Sequence, residues 1–531
     1  MVISLAACAG TATSSTASKT ETPSSTASQT ESKQEETKIV YPLADGGTLS
    51  MAWSDMTGNT GGKAWKDTMF IQALQENTGV KLELVHPSDY NVYFAGNQFA
   101  DIIYYSWQSY SGGASKAISD NVIIPIEDYL NQYGPDYSDL LAQNETWRKM
   151  ATTPDGYLYG FNFIRTDKVL QIYNGIIVRE DWLQDIGMET PETPEEFKKM
   201  LIAFRDEKGA TAPFSQVFKT LLSDTGTAGM IAGAFGLPSN KGYVDNNTVK
   251  YGAYEDSYKD YLAYMHDLYA EGLIDKNMMT LDSATVTANL LDGVSGVVTG
   301  ALGGGIGNWM QAAERSGDQK FSLTGITPLV AKKGDTAISG QYENPVLGAA
   351  ASISSQCKNI ELACKFLNYN YTEEGHNLWN FGIEGVSWNP VTDNELYTHE
   401  YTELAFATDG LTKSQSMYQY CCVGFGPFGQ DPDYIWQFYG RQQQKDALTN
   451  WLKTDVAKYK MPPVTVSEEK VADFSALSGE IDTYVSETSA LFITGEKSLD
   501  KFADFQKTLK DLGVEEYIAI EQDAYDEYMS R

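Results

Sequence analysis

The sequence predicts an α/β fold, and three observations carry that prediction. The first is a βαβ rhythm near the amino end. Residues 48–53 (TLSMAW) read as a strand, 63–77 as a helix, 80–85 (VKLELV) as an alternating second strand and 101–105 as a third. The second is length: 531 residues exceed what one hydrophobic core covers, so the body divides into two to four domains or forms one large two-lobed unit. The third is the stretch 100–115, ADIIYYSWQSYSGGAS, where an apolar strand gives way without a polar turn to Ser106, Trp107, Gln108, Ser109 and Tyr110, then to Gly112-Gly113. In open α/β sheets ligands sit beyond the carboxyl ends of strands, so this stretch delivers rings and amides to an opening. Flat amphipathic rings beside hydrogen-bonding side chains suit a sugar, which has an apolar C–H face and a polar rim. Covering of the sheet edge by Trp107 and Tyr110 is the plainer alternative.

Composition narrows the partners. The chain is 42% hydrophobic and 12% aromatic, as a globular protein is, with a formal net charge of -32. That charge repels nucleic acid and anionic membrane surfaces at long range and mildly favours a neutral or cationic ligand. Of the five cysteines, Cys421 and Cys422 are adjacent and Cys357 and Cys364 belong to one helical region, so neither a disulfide framework nor a CxxC metal pair is expected. The four histidines, His86, His266, His376 and His399, fall in no HExxH or HxH arrangement. No cofactor and no metal are therefore expected; Asp245-Asn246-Asn247 is polar but lacks a calcium-loop pattern.

Residues 1–10, MVISLAACAG, place Cys8 after small residues. Leu5-Ala6-Ala7-Cys8 resembles the lipobox of bacterial lipoproteins, whose cysteine is diacylated and becomes the new amino terminus. The basic start and most of the apolar run of a signal peptide are missing, so residues 1–8 read as a truncated signal. Residues 9–38 are Thr, Ser, Ala, Gln, Glu and Lys with a single Gly and a single Pro and without a large apolar side chain, and they read as a disordered tether. Its reach is roughly 30 Å, from about 5–6 Å times the square root of its length. Such an anchor places the body at the outer face of the cytoplasmic membrane.

Folded structure is expected from residue 39. The loop after the first strand leaves from the same edge as Trp107, which makes Trp53 and Asp55 cleft candidates; a buried strand-end Trp and a helix-capping Asp are the competing readings. Short strand and turn elements follow at 121–130 and 155–163, then a strand near 176–179 and a helix 180–186 ending at Gly187. Thr193-Pro194-Glu195-Glu196 is a helix start with a capping Thr, Pro in the first turn and Glu at the third position. Towards the carboxyl end, 467–487 reads as a helix, Ser498 starts another carrying Leu499, Phe502, Phe505, Leu509 and Leu512, and 515–528 is the last.

The order IYN, VREDWLQDIG, PETPEEFKKML, YLAYMHDLYAEGLI, DGVSGVVTG, GITPLVAKKG, KNIELACKFLNYNYTEEG and NFGIEGVSW resembles the extracellular solute-binding proteins of ABC importers over residues 39–528. It is most similar to the carbohydrate-binding group that includes maltose-binding protein and the longer lipoproteins of Gram-positive bacteria. The resemblance implies a periplasmic-binding-protein-like fold: two α/β lobes joined by a hinge, with the ligand cleft between them. It implies a first crossing at 169–174, a return at 338–345 and a last crossing at 387–397. The lobes would be 39–170 with 338–392, and 171–337 with 393–531. It further implies a monomer that closes on a carbohydrate, most simply a neutral oligosaccharide, and hands it to the transmembrane subunits of an ABC permease without covalent chemistry.

Carried over residue by residue, the resemblance places Tyr105, Trp107 and Gln108 at the cleft and supports Asp55. Residues 299–309 (TGALGGGIGNW) fall where maltose-binding protein carries a stacking tryptophan. Gly303-Gly304-Gly305 stand there instead, which suggests a close backbone approach to a larger ligand, a substitute ring from Trp309, or a tight turn into a helix. Tyr342 and Glu343 lie at the return crossing. Residues 382–388 match a GxEGxxW segment of the longer relatives, putting Trp388 at the cleft and Glu384 either there or in the hinge. Residues 424–439 suit an additional cleft loop with Trp436 as a contact. Two rival readings remain: a surface glycoside hydrolase, which needs two carboxylates about 5–9.5 Å apart across a cleft, and capture of a peptide or another non-sugar solute.

Overall fold

Two sheets with separate cores organise the chain. The computed structural model describes residues 38–408, 410–467 and 469–531. Cys8 and residues 9–37 of the expected tether lie outside the described residues. In chain order the strands are β1 (Thr48–Ala52), β2 (Lys81–Val85), β3 (Ile102–Ser106), β4 (Phe161–Arg165), β5 (Asn174–Arg179), β6 (Gly242–Asp245) and β7 (Thr248–Tyr251). They continue with β8 (Val297–Ala301), β9 (Leu323–Gly325), β10 (Val346–Ile353), β11 (Trp388–Pro390), β12 (His399–Tyr401) and β13 (Gly429–Gln430).

The larger sheet has the order β13-β4-β10-β3-β1-β2. The expected βαβ unit is there: β1 pairs in parallel with both β2 and β3. The sheet as a whole is mixed, because β10 runs antiparallel between β3 and β4. Period-two alternation divides its apolar side chains between two faces. Ile102 packs with Met51, Phe161 and Ile353, while the next residue, Ile103, packs with Ala52, Trp107 and Ala350 on the opposite side. The smaller sheet, β8-β5-β9, is antiparallel throughout and holds Ile176, Ile177, Val178, Val297 and Leu323 in a core of its own.

Local chemistry sets the helix ends. The helix Met69–Thr78 starts where the Thr68 hydroxyl accepts from Ile71 N, later than the expected residue 63, and stops at Gly79 in the left-handed region. Thr193 caps Pro194–Lys208 through Glu196 N, and Gly209 ends it. Two expectations change. Part of the 121–130 segment is helical, from Glu127 to Tyr133. The helix expected at 467–487 runs from Val471 to Thr494. Within Asp245-Asn246-Asn247, Asp245 ends β6 and Asn246 and Asn247, both at positive φ, form the two-residue turn of the β6–β7 hairpin.

The chain passes from the large sheet to the small one between Arg165 and Asn174, and returns between Gly325 and Val346. The last passage comes later than the expected 387–397. β13 still pairs with β4 in the large sheet, whereas the helix Gln442–Trp451 packs on the small one, Asn450 donating to Gly325 O at 2.9 Å. Residues 393–430 therefore do not begin the second lobe. Gly175 permits the approach of this helix: a Cβ there would lie 2.5 Å from the Trp451 ring.

Candidate functional site

The crossings are tied to one another by hydrogen bonds. Gln341 Oε1 accepts from Tyr173 N at 2.7 Å and Asn174 N at 3.3 Å, and Glu343 N donates to Gln171 O at 3.0 Å. Outgoing and returning segments thus form a ribbon between the lobes. On it the Glu343 carboxylate pairs with Arg165 and accepts from the Tyr173 hydroxyl at 2.6 Å. Burial, followed by Glu343, pushes the Tyr173 phenol up to about 12. Tyr434 and Tyr439 stand close to Arg165; burial pushes Tyr434 up to about 12 against the opposing guanidinium charge. Glu343 is thereby committed to two donors, which suits a carboxylate that braces a hinge and orders phenols around it.

Two adjoining cavities flank this ribbon between the lobes. One, of about 580 Å³, is lined on the large-sheet side by Gln108, Tyr110 and Thr153 and on the other by residues 462–466 and Glu521. The second, of about 490 Å³, shares Met150, Asn344 and Pro462 with it and adds Tyr342. Volumes of this size, with rings and a few amides in the walls, fit small-molecule sites, which span roughly 300–1,000 Å³. Burial raises the Glu521 carboxyl, although the Tyr517 hydroxyl donates to it at 2.8 Å; its Oε2 has no protein partner.

The expected site residues separate into two groups. Gln108 and Tyr342 line the cavities, and Glu343 anchors the ribbon between them. Tyr105 is half-buried at the end of β3, where its ring meets Tyr90 at 4.6 Å and Phe94 at 5.2 Å between centroids. Asp55 is exposed and accepts from the Thr57 amide and hydroxyl, which holds its carboxyl below the usual range and braces the loop after β1.

Two tryptophans, Trp53 and Trp388, are corrections, while Trp107 lies in a cavity wall. Trp53 is 1% exposed and stacks on Tyr104 at 3.9 Å, so it is a core residue with no face left for a ligand. Trp107, also 1% exposed, packs with Ile103 and Ala350 and donates to Ala350 O at 3.3 Å, and it forms part of the wall of the larger cavity. Trp388 is buried with Phe381 and His399 and donates to Gly382 O. Of the remaining candidates, Glu384 lies exposed on a tight turn whose backbone bridges to Trp388. Trp309 lies against Gly300 and donates to Thr287, so it fills space under the glycine loop. The three glycines fall in a single wide helical turn, Leu302–Gly307, and Gly303 sits against the Tyr439 ring. Trp436 packs on the small-sheet core.

Arg165, Tyr173, Tyr434 and Tyr439 were not singled out by the sequence. Their signals, a lone Arg at a strand end and tyrosines within an aromatic-rich run, are common ones. What distinguishes them is convergence of segments distant in the chain.

Comparison with known proteins follows the geometry. A family model described as bacterial extracellular solute-binding protein matches residues 57–377. A fructooligosaccharide ABC transporter substrate-binding protein, FusA, of Streptococcus pneumoniae is 22% identical, covering 93% of this chain and 92% of its own. The fold resembles that of an HMO-binding, ABC-transporter-associated solute-binding protein from Bifidobacterium longum infantis, with a TM-score of 0.69 and 18% identity over 91% of this chain and 99% of that one. It also resembles the alginate-binding protein AlgQ2, with a TM-score of 0.65 and 18% identity over 90% of this chain and 98% of that one. These two likenesses show the two-lobed α/β fold.

Proposed function

The chain belongs to the bacterial extracellular solute-binding proteins, and on that premise we propose that it captures a neutral oligosaccharide between its lobes and delivers it to an ABC importer. The observation that carries this reading is the pair of adjoining cavities beside the crossing ribbon, walled by Tyr110, Tyr342, Gln108 and Asn344. Two adjoining spaces with rings and amides in their walls suit successive units of a sugar chain. FusA, similar over nearly the whole chain, is a fructooligosaccharide binder of an ABC transporter, which supports the same ligand class. Residues 39–165 with 346–430 would form one lobe and 174–325 with 442–531 the other, turning on the three passages between them. Closure is driven by the ligand's tighter binding to the closed form, which the transmembrane subunits read. No described helix is long and apolar enough to cross a membrane; Cys8 would carry the lipid that holds the protein at the outer face, with 9–38 as its tether.

An acidic sugar is the second reading. Lys149, Lys458 and Lys460 all line the smaller cavity, although Lys149 and Lys458 already face Glu145 and Asp455. The test is a thermal and tryptophan-fluorescence titration with neutral oligosaccharides, uronate oligomers and peptides. A ligand at a hundred times its Kd stabilises by about 2.7 kcal/mol. A saturable shift with neutral sugars supports the proposal. A shift confined to uronates moves the ligand to the second reading, and one confined to peptides refutes the carbohydrate class.

A further inference from the structure

The small-sheet lobe holds a cavity that the reading above leaves unused. It measures about 650 Å³ and is walled by residues 219–225, the loop leading into β6, and the middle of the helix Val471–Thr494. Tyr342 and Lys460 line both this cavity and the 490 Å³ space between the lobes, so the two adjoin at the return crossing.

Its polar groups are of both signs. Asp224 accepts from the Ser239 hydroxyl at 2.6 Å and from Asn240 N at 2.7 Å, and burial raises its carboxyl. Asp482 pairs with Lys241 at 2.6 Å and accepts from the Tyr251 hydroxyl at 3.1 Å. Asn240 is 4% exposed and commits its Nδ2 to Leu222 O, while its Oδ1 has no protein partner.

We infer that this cavity is an end subsite for one further unit of a neutral sugar chain whose other units lie between the lobes, an inference that rests on the carbohydrate reading. The volume falls within the roughly 300–1,000 Å³ of small-molecule sites. Charges of both signs line it, Lys219, Lys241 and Lys460 beside Asp224 and Asp482, so neither a cation nor a uronate meets only opposite charge. A hydroxyl, which both donates and accepts, satisfies either kind of partner. Leu222 and Val485 give the wall an apolar part for the C–H face of the ring. Affinity therefore increases when the chain becomes long enough to pass Tyr342.

Calorimetric titration of the wild-type protein with linear neutral oligosaccharides of increasing length tests this, beside Ser486→Trp, which fills the cavity from the exposed side of its helix. Asp482→Asn is a second, milder variant. The expected result is that both variants bind the shortest sugar as the wild type does, that Ser486→Trp binds the longest about tenfold more weakly, and that Asp482→Asn, which removes a charged acceptor from the wall, binds it more weakly by a smaller factor of about three. If wild type and both variants show the same length dependence, the subsite is refuted while the carbohydrate reading stands. If the wild type binds none of the sugars, the carbohydrate reading falls and the subsite with it. Should Ser486→Trp melt far below the wild type, Asp482→Asn decides: an unchanged length dependence there overturns the inference.

Discussion

Glu343→Gln tests whether the crossing ribbon is an anchored hinge. The Arg165 and Glu343 side chains are 16% and 26% exposed, so the pair lies between a surface ion pair and a buried one. Surface pairs contribute about 0.2–1 kcal/mol, and breaking a buried pair costs about 3–5 kcal/mol. The amide keeps one acceptor for the Tyr173 hydroxyl but leaves the Arg165 guanidinium without its counter-charge. A loss of about 2 kcal/mol follows, within the range of roughly 1.5–3 kcal/mol for a hydrogen bond to a charged group. In a protein of this size that corresponds to a fall in Tm of about 4 °C, at ~2 °C per kcal/mol. The control is Glu361→Gln, which removes an exposed pair with Lys365 one helical turn away; it is expected to shift Tm by under about 1 °C. The assay is thermal unfolding of both variants at low and high salt. Salt screens the exposed pair and largely spares the enclosed one, so the gap between variants persists at high salt. If the two variants melt within about 1 °C of one another, the ribbon is not held by this pair and the argument fails.

Three further outcomes follow from the same structure. Tyr110→Ala, in the wall of the larger cavity, is expected to weaken sugar binding about tenfold, or ~1.4 kcal/mol, whereas Trp53→Ala is expected to lower stability by about 3–5 kcal/mol; calorimetry and thermal melts of both separate a cavity-wall residue from a core residue, and equal losses of stability would contradict the assignment. Gly175→Val places atoms against the Trp451 ring, where a Cβ alone would lie at 2.5 Å, and is expected to cost about 1–3 kcal/mol in denaturant unfolding. Burial lowers the Lys413 ammonium to about 8 while it donates to the carbonyls of Gln437 and Phe438. Between pH 8 and the ordinary lysine value the unfolded chain holds more protons than the folded one, so this group adds stability as pH rises through that window and adds none below it. Lys413→Met should flatten the rise seen in a pH series of melts, and an unchanged slope would refute it.

The elements that were legible in the sequence share a physical origin. Alternation in VKLELV, the Thr193 cap followed by Pro194 and Glu196, and Gly187 at a helix end act within a few residues, and each appears in the structure close to where it was read. The tryptophans show the limit of that reading. Trp53 and Tyr105 both stand at the carboxyl ends of parallel strands in aromatic surroundings, yet Trp53 is enclosed by Trp65, Tyr104 and Trp379. Those rings come from three other parts of the chain, so its burial is a property of the assembled core. The same holds for Arg165, whose partner Glu343 lies on the returning segment.

By itself the sequence determined the α/β class, the amino-terminal βαβ unit and local caps such as Thr193, because periodicity and capping are short-range properties of a chain. Resemblance added the two-lobed architecture and the ligand class. Tertiary structure alone decided which lobe receives residues 393–430, since a two-residue strand, β13, joins the large sheet only through hydrogen bonds to β4. It also decided which aromatics remain accessible and which carboxylate braces the crossings. These depend on segments far apart in the chain meeting at hydrogen-bonding distance, which no local pattern encodes.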